Sequence, residues 1–231
     1  MRLRFMVPLM LVIQILLSVS IVIGFAFLMP GIDDDPTSAL YLTTGAPTLA
    51  LIAVGIALAP SMVAYQKTQG IFDYQRSLPV PRTATLAADA TVWVGVAVPG
   101  VVVGLLVAVL RFDLDLHVSP LVVPALLLVA LTCISIGYGI AYLVPAMMVQ
   151  VLTNLLLFLA LLFSPVNFPG ERLPGWLESV HEVLPFASMA QAIRETLAVP
   201  AHGVSAQPFV VLGIWCAVGL TLSQWTMNRR G

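Results

Sequence analysis

The 25 residues from Leu86 to Leu110, LAADATVWVGVAVPGVVVGLLVAVL, contain a single ionisable side chain, Asp89. Wound as an α-helix at about 1.5 Å per residue, this run is ~37 Å long, enough to cross a hydrocarbon core of about 30 Å. The whole chain has the same bias. Of its 231 residues, 60% are hydrophobic and only 9% charged, whereas a soluble domain is about half apolar and about a quarter charged. One globule of this length cannot bury such an excess, so the expected solvent is lipid.

Working outward from that run, five more apolar stretches emerge, giving spans at about 6–29, 40–65, 86–110, 121–146, 149–163 and 208–227. Five are long enough to cross. The fifth is short, and its end at SPVNFPGERLPGW reads as broken rather than cleanly terminated. Arg2 and Arg4 precede the first stretch as they would in a signal peptide. Its apolar run, however, exceeds the roughly 7–15 residues of such a leader and no small-residue cleavage site closes it, so it reads as a retained span. The fold class expected is an all-α membrane protein of six transmembrane helices.

The net charge of −1 says little; its distribution says more. One side of the spans takes Arg2, Arg4, Lys67, Arg76, Arg82, Arg229 and Arg230, against Asp73 and Asp89. The other takes Arg111, Arg172 and Arg194 among nine acids, including Asp33, Asp34, Asp35, Glu178, Glu182 and Glu195. The positive-inside rule makes the first side cytoplasmic. Both termini and the basic loop 66–85 are then inside, in a multi-pass protein of the plasma membrane.

Several chemistries are disfavoured. Lys67, the one lysine, follows a glutamine, so no G-x-x-x-x-G-K-[ST] loop exists to bind ATP. Cys133 and Cys216 lie in apolar runs and read as small buried residues. His117, His181 and His202 fall in external segments, and Asp89 is near a span's cytoplasmic end. Ion-coupled carriers need carboxylates or histidines inside the membrane, and those are wanting. Neither G-x-S-x-G nor H-E-x-x-H occurs. No catalytic residue, metal site, cofactor or nucleic-acid partner is expected in this chain. Gln14, Ser18, Ser20, Thr43, Thr44, Gln150, Thr153, Asn154 and Gln224 are the polar groups within spans. Such groups commonly join helix to helix; Gln14, Ser18, Thr43, Thr44, Gln150 and Asn154 are also the candidates for lining a pathway. Gly100 and Gly104 form a G-x-x-x-G that would let a neighbouring helix approach closely.

Residues 165–206 form the longest stretch outside the spans. Leu173, Trp176, Leu177, Val180 and Leu184 make one apolar face of a short helix, with Glu178, His181 and Glu182 turned away as a solvated face rather than a metal site. A second short helix is expected over Ser188–Leu197, making an external helical hairpin that dips into or lies along the outer leaflet. Glu171, Arg172 and Trp176 mark its entrance, Trp176 suiting the interface.

Two stretches, GIFDYQRSLPVPR (70–82) and LLFSPVNFPGERLPGWLESVHEVLPFASMAQAIRE (161–195), carry a family resemblance. With the six spans, they resemble the permease subunits of type-2 ABC exporters, and their drug-resistance (daunorubicin-type) branch in particular. One departure is that only about five residues precede the first apolar run, where such proteins commonly carry a longer amphipathic helix. The resemblance implies a separate ABC ATPase subunit in two copies, binding ATP and Mg, and a second six-span permease, identical or paralogous. It also implies that the loop over 66–85 docks on the ATPase as a coupling element, with Tyr74, Arg76, Leu78, Pro79, Pro81 and Arg82 as candidate contacts. A Pro-bounded element can transmit force, and Arg and Tyr are favoured interface anchors; the same arginines could instead only fix topology or touch anionic lipid.

The leading functional expectation is therefore the permease of an ATP-driven exporter of a lipophilic drug or lipid-like compound. Export of a polysaccharide or glycolipid by the same kind of permease is the near alternative. A non-transporting membrane scaffold or immunity protein is a different class, and a secondary carrier comes third.

Overall fold

The computed structural model describes residues 3–28, 32, 35–71, 81–114, 116–169, 174–198 and 203–229. Among these, six helices are long and apolar enough to cross a membrane. The first is α1 (Leu3–Leu28). The second is one continuous rod, Pro36–Thr68, formed by α2 (Pro36–Ile52), a π-helical stretch (Ala53–Leu58) and α3 (Ala59–Thr68). Next come α4 (Arg82–Phe112), α5 (Val122–Leu143) and α6 (Ala146–Phe163). A pair of short helices, α7 (Gly175–Val183) and α8 (Pro185–Leu197), leads to α9 (Gln207–Arg229).

Local sequence explains most of the boundaries. Asp35 caps α2 by accepting from the Thr37 amide at 3.0 Å and the Ser38 hydroxyl at 2.6 Å, and Pro36 fills the first helical position, where no N–H is needed. The rod starts four residues before the apolar run at 40 because this cap, not hydropathy, sets its end. Pro60 has no N–H to offer the preceding turn, and the helix widens to π geometry over Ala53–Leu58, just ahead of it. Pro81, in extended geometry, opens α4, and Asp113 in the left-handed conformation (φ 48°, ψ 45°) closes it. Val144 is extended because Pro145 follows, so α5 stops at Leu143 and α6 starts directly after the turn. That turn gives the fifth span 18 residues instead of the 15 of its apolar core.

The Pro36–Thr68 rod is the centre of the bundle, with 78% of its most apolar window buried; the corresponding windows of α1 and α6 are 17% buried. In water, α1 and α6 would be untenable as outer helices. In lipid, their exposed Leu, Val, Ile and Phe side chains need no protein cover. The core is continuous from Leu49, Ile52 and Ile56 of the rod through Val129, Cys133 and Ile134 of α5 to Met189 and Ile193 of α8.

The helix pair was expected to dip into the outer leaflet or to lie along it. The position of α8 fits the first alternative: it is packed among α2, α5 and α9 rather than laid on a surface. Its C-terminal end reaches the α4–α5 connection, where the Thr196 carbonyl accepts from the Ser119 amide at 2.8 Å. Its N-terminal end at Leu184–Phe186 faces Leu156, Trp215 and Ile136, well along α6, α9 and α5. The Trp215 indole donates to the Val183 carbonyl there at 2.9 Å. On α7, His181 is buried rather than solvated as expected, whereas Trp176, Val180 and Val183 are exposed. Lipid, unlike water, accepts apolar side chains exposed in this way.

Candidate functional site

Where α8 meets α2, the bundle encloses a charge. Arg194 is 6% exposed. Its Nε donates to Thr44 Oγ1 at 3.2 Å and its Nη2 to the Val166 carbonyl at 3.0 Å. The guanidinium carbon lies 3.7 Å from the centre of the Tyr41 ring. Thr44 can accept because its own hydroxyl proton goes back along the helix to Leu40 O at 2.9 Å. One side chain thus joins α8, α2 and the Ser164–Pro169 connection. Burial pulls the Arg194 pKa down to about 10, partly offset by Tyr41 and Glu195, so the cation persists at neutral pH. Glu195, also buried, turns elsewhere and accepts from the Ser205 amide and the Gln191 amide group, each at 2.7 Å. Burial likewise lowers the His181 pKa, against a smaller opposing contribution from the Phe163 backbone.

Neither Arg194 nor Glu195 had a role in the sequence reading beyond the count of external charges. A readable signal existed: Arg194 is the only basic residue in a short helix with three alanines and a serine, and small residues permit close packing. Beside it, Asn167 is buried against Gly45, where a Cβ would collide with the Asn167 side-chain oxygen and the Val166 carbonyl. The connection after α6 therefore sits directly on the rod.

The six pathway candidates separate into two groups. Gln14, Ser18, Thr43 and Thr44 are completely buried. Gln14 and Ser18 of α1 fill the space left by Gly100 and Gly104 of α4. Gln14 also donates to the Ala50 carbonyl at 3.0 Å. The matching i, i+4 spacing on both helices makes this a close-packed seam. Gln150 and Asn154 instead lie on α6 with solvent- or lipid-accessible surface, bonded to each other at 3.1 Å. The Ser61 hydroxyl of α3 donates to Gln150 Oε1 at 2.9 Å, extending the polar strip.

Of the coupling-loop candidates, Tyr74, Arg76, Leu78 and Pro79 lie outside the described residues. Pro81 is exposed at the start of α4, and Arg82 is that helix's first residue. The two helices flanking the loop, at 33 and 31 residues, are the longest described. At about 1.5 Å per residue each exceeds 45 Å, so both must tilt or reach beyond a core of about 30 Å. Glu171 and Arg172 are likewise outside the described residues, while Trp176 is 70% exposed, as an interfacial ring can be. Among the described residues no three His, Cys, Asp or Glu side chains converge as metal ligands.

Comparison with known proteins supplies the remaining link. The profile of the ABC-2 type transporter family matches residues 1–198. No curated protein and no solved structure gives a match. Six apolar helices and a match over most of the length agree on one assignment. The chain belongs to the ABC-2 type transporter family: it is a multi-pass membrane protein, the permease component of an ABC transporter rather than its ATPase.

Proposed function

We propose that this chain is the permease half of an ATP-driven exporter that moves a lipophilic drug or lipid-like compound. The observation that carries the cargo class is the character of the accessible span surfaces. They are Leu, Val, Ile, Phe and Met, interrupted by the uncharged strip Ser61–Gln150–Asn154. The buried cation, Arg194, is occupied by Tyr41, Thr44 and Val166 and offers nothing to an anion passing by. A pathway between two such permeases, identical or paralogous, suits apolar cargo with weak polarity. An ABC ATPase in two copies, holding ATP and Mg, supplies the energy. Both termini and the loop 66–85 face the cytoplasm, in keeping with seven basic residues on that side.

In this reading the loop docks on the ATPase through Tyr74, Arg76, Leu78, Pro79, Pro81 and Arg82. Replacing Arg76 and Arg82 together by glutamate is expected to reduce capture of the ATPase at least tenfold in a co-purification assay. Two charge reversals in an interface make attractive contacts repulsive, at a cost of several kcal/mol. Undiminished capture and transport-linked ATP hydrolysis would assign these arginines to topology alone. Cargo is narrowed by the susceptibility profile of a deletion strain: sensitivity confined to lipophilic compounds supports the reading. An altered surface polysaccharide with unchanged drug sensitivity points to glycan export instead.

A further inference from the structure

The two ends of the basic loop hold the same aromatic rings. Lys67, in the last turn of α3, donates to the Ala141 carbonyl near the end of α5. Its ammonium stands 5.4 Å from the centre of the Tyr142 ring. Tyr142 meets Tyr138, one turn earlier, edge to face, with centroids 6.0 Å apart and planes at 79°. From the loop's other end, Trp93 of α4 lies in the same buried core as both tyrosines. All three rings are buried.

Burial, ring geometry and convergence from both directions matter together. An edge-to-face ring pair and a cation held over a ring both depend on distance and angle. These terms favour one arrangement and lose strength rapidly when it shifts, whereas aliphatic packing is non-directional. The end of α5 is thus bonded to the helix entering the loop and touched by the helix leaving it. Further along, α5 is fitted to α9 with no room for a side chain at Gly219, which rests on Ser135 and Ile136.

We propose that Lys67, Trp93, Tyr138 and Tyr142 form a bearing that makes the end of α5 follow the coupling loop, and α9 follow α5. These are positioning residues, and the proposal rests on the reading of loop 66–85 as the ATPase contact. A loop displacement then reaches the fourth span at its end nearest the loop, and the sixth span through the fourth.

The test places spin labels on Gln69→Cys and Leu143→Cys, both accessible positions flanking the bearing. Cys133 and Cys216 are replaced by alanine, and the complex with its co-purifying ATPase is held in lipid nanodiscs. In the otherwise native chain the interspin distance is expected to stay the same without nucleotide and with ATP plus vanadate. In Tyr138→Leu/Tyr142→Leu it is expected to change with nucleotide by about 2 Å or more, the scale of helix shifts in switching proteins, while ATP hydrolysis persists. Tyr142→Phe, which keeps the ring, should behave as the native residue. Should the double variant fail to assemble, Lys67→Met leaves the rings intact and should loosen the distance in the same way. A native distance that changes with nucleotide, or a variant distance that does not, overturns the bearing. If no ATPase co-purifies with the wild-type chain, the coupling reading itself falls, a result seen before any variant is made.

Discussion

Replacing Arg194 by alanine is expected to release the helix pair from the rod, lowering stability by about 3 kcal/mol. Several contributions set that magnitude. Two charge-assisted hydrogen bonds, to Thr44 and Val166, are worth roughly 1.5–3 kcal/mol each in mutational terms. The Tyr41 stacking, out of water, adds about 2 kcal/mol. Against these, deleting the guanidinium also removes a buried charge, and burying one costs several kcal/mol. That relief is incomplete, because alanine leaves a void and strands the Val166 carbonyl without its donor. Loss wins over relief. Lysine should not rescue: its point charge cannot reach two acceptors and stack on a ring together. Tyr41→Phe should be nearly silent, since the ring remains, whereas Tyr41→Leu should cost about 1–2 kcal/mol. Hydrogen exchange of the α8 amides in detergent or nanodiscs separates this from general destabilisation. Faster exchange concentrated in Pro185–Leu197 is the expected result; unchanged α8 protection in Arg194→Ala would mean that packing alone docks the pair.

That outcome bears on what the sequence could convey. The six spans were readable because hydrocarbon imposes a length and a composition, and Leu86–Leu110 satisfies both without any knowledge of neighbours. Helix ends were less readable, because they are set by groups hydropathy ignores: the Asp35 cap, the Pro81 start and the Val144–Pro145 turn. The buried charges were missed for a different reason. Counting charges by side assumes that each is in water, and Arg194 and Glu195 violate that assumption by finding partners far away in sequence, or across a loop. His181 on α7 reads as solvated by the logic of a water-facing helix, yet it is buried while its apolar neighbours Val180 and Val183 are exposed. Gln14, Ser18, Gly100 and Gly104 were all visible as small or polar interruptions. Their pairing into a seam appears only when α1 and α4 are side by side.

Two glycines on α5, two residues apart, should respond in opposite ways to the same methyl group. A Cβ at Gly137 would overlap the Gly55 carbonyl oxygen, and it would also stand 3.1 Å from Pro60 Cδ. Both neighbours belong to the rod, at the π-helical stretch and just beyond it, where backbone geometry is already fixed by Pro60. A flexible side chain could move aside; a main-chain carbonyl held in a helix cannot. At Gly139 the nearest foreign atom is a Leu222 methyl at 3.4 Å, an ordinary contact. Forcing extra volume into a filled interior typically costs ~1–3 kcal/mol, and a clash with backbone belongs at the upper end. Gly139→Ala, by contrast, should gain from alanine's helix preference, worth up to about 1 kcal/mol. At roughly 2–4 °C per kcal/mol for a chain of this size, Gly137→Ala should melt about 6–12 °C lower, with Gly139→Ala at or slightly above the parent. Thermal denaturation of the three proteins in one detergent makes the comparison. The contrast concerns mechanism as well as stability. If α5 is the element that carries loop movement into the bundle, it must turn against the rod on a contact with no side chain between them. Equal melting of the two variants would mean that the rod gives way at its π-helical stretch, and that α5 has no fixed surface to work against.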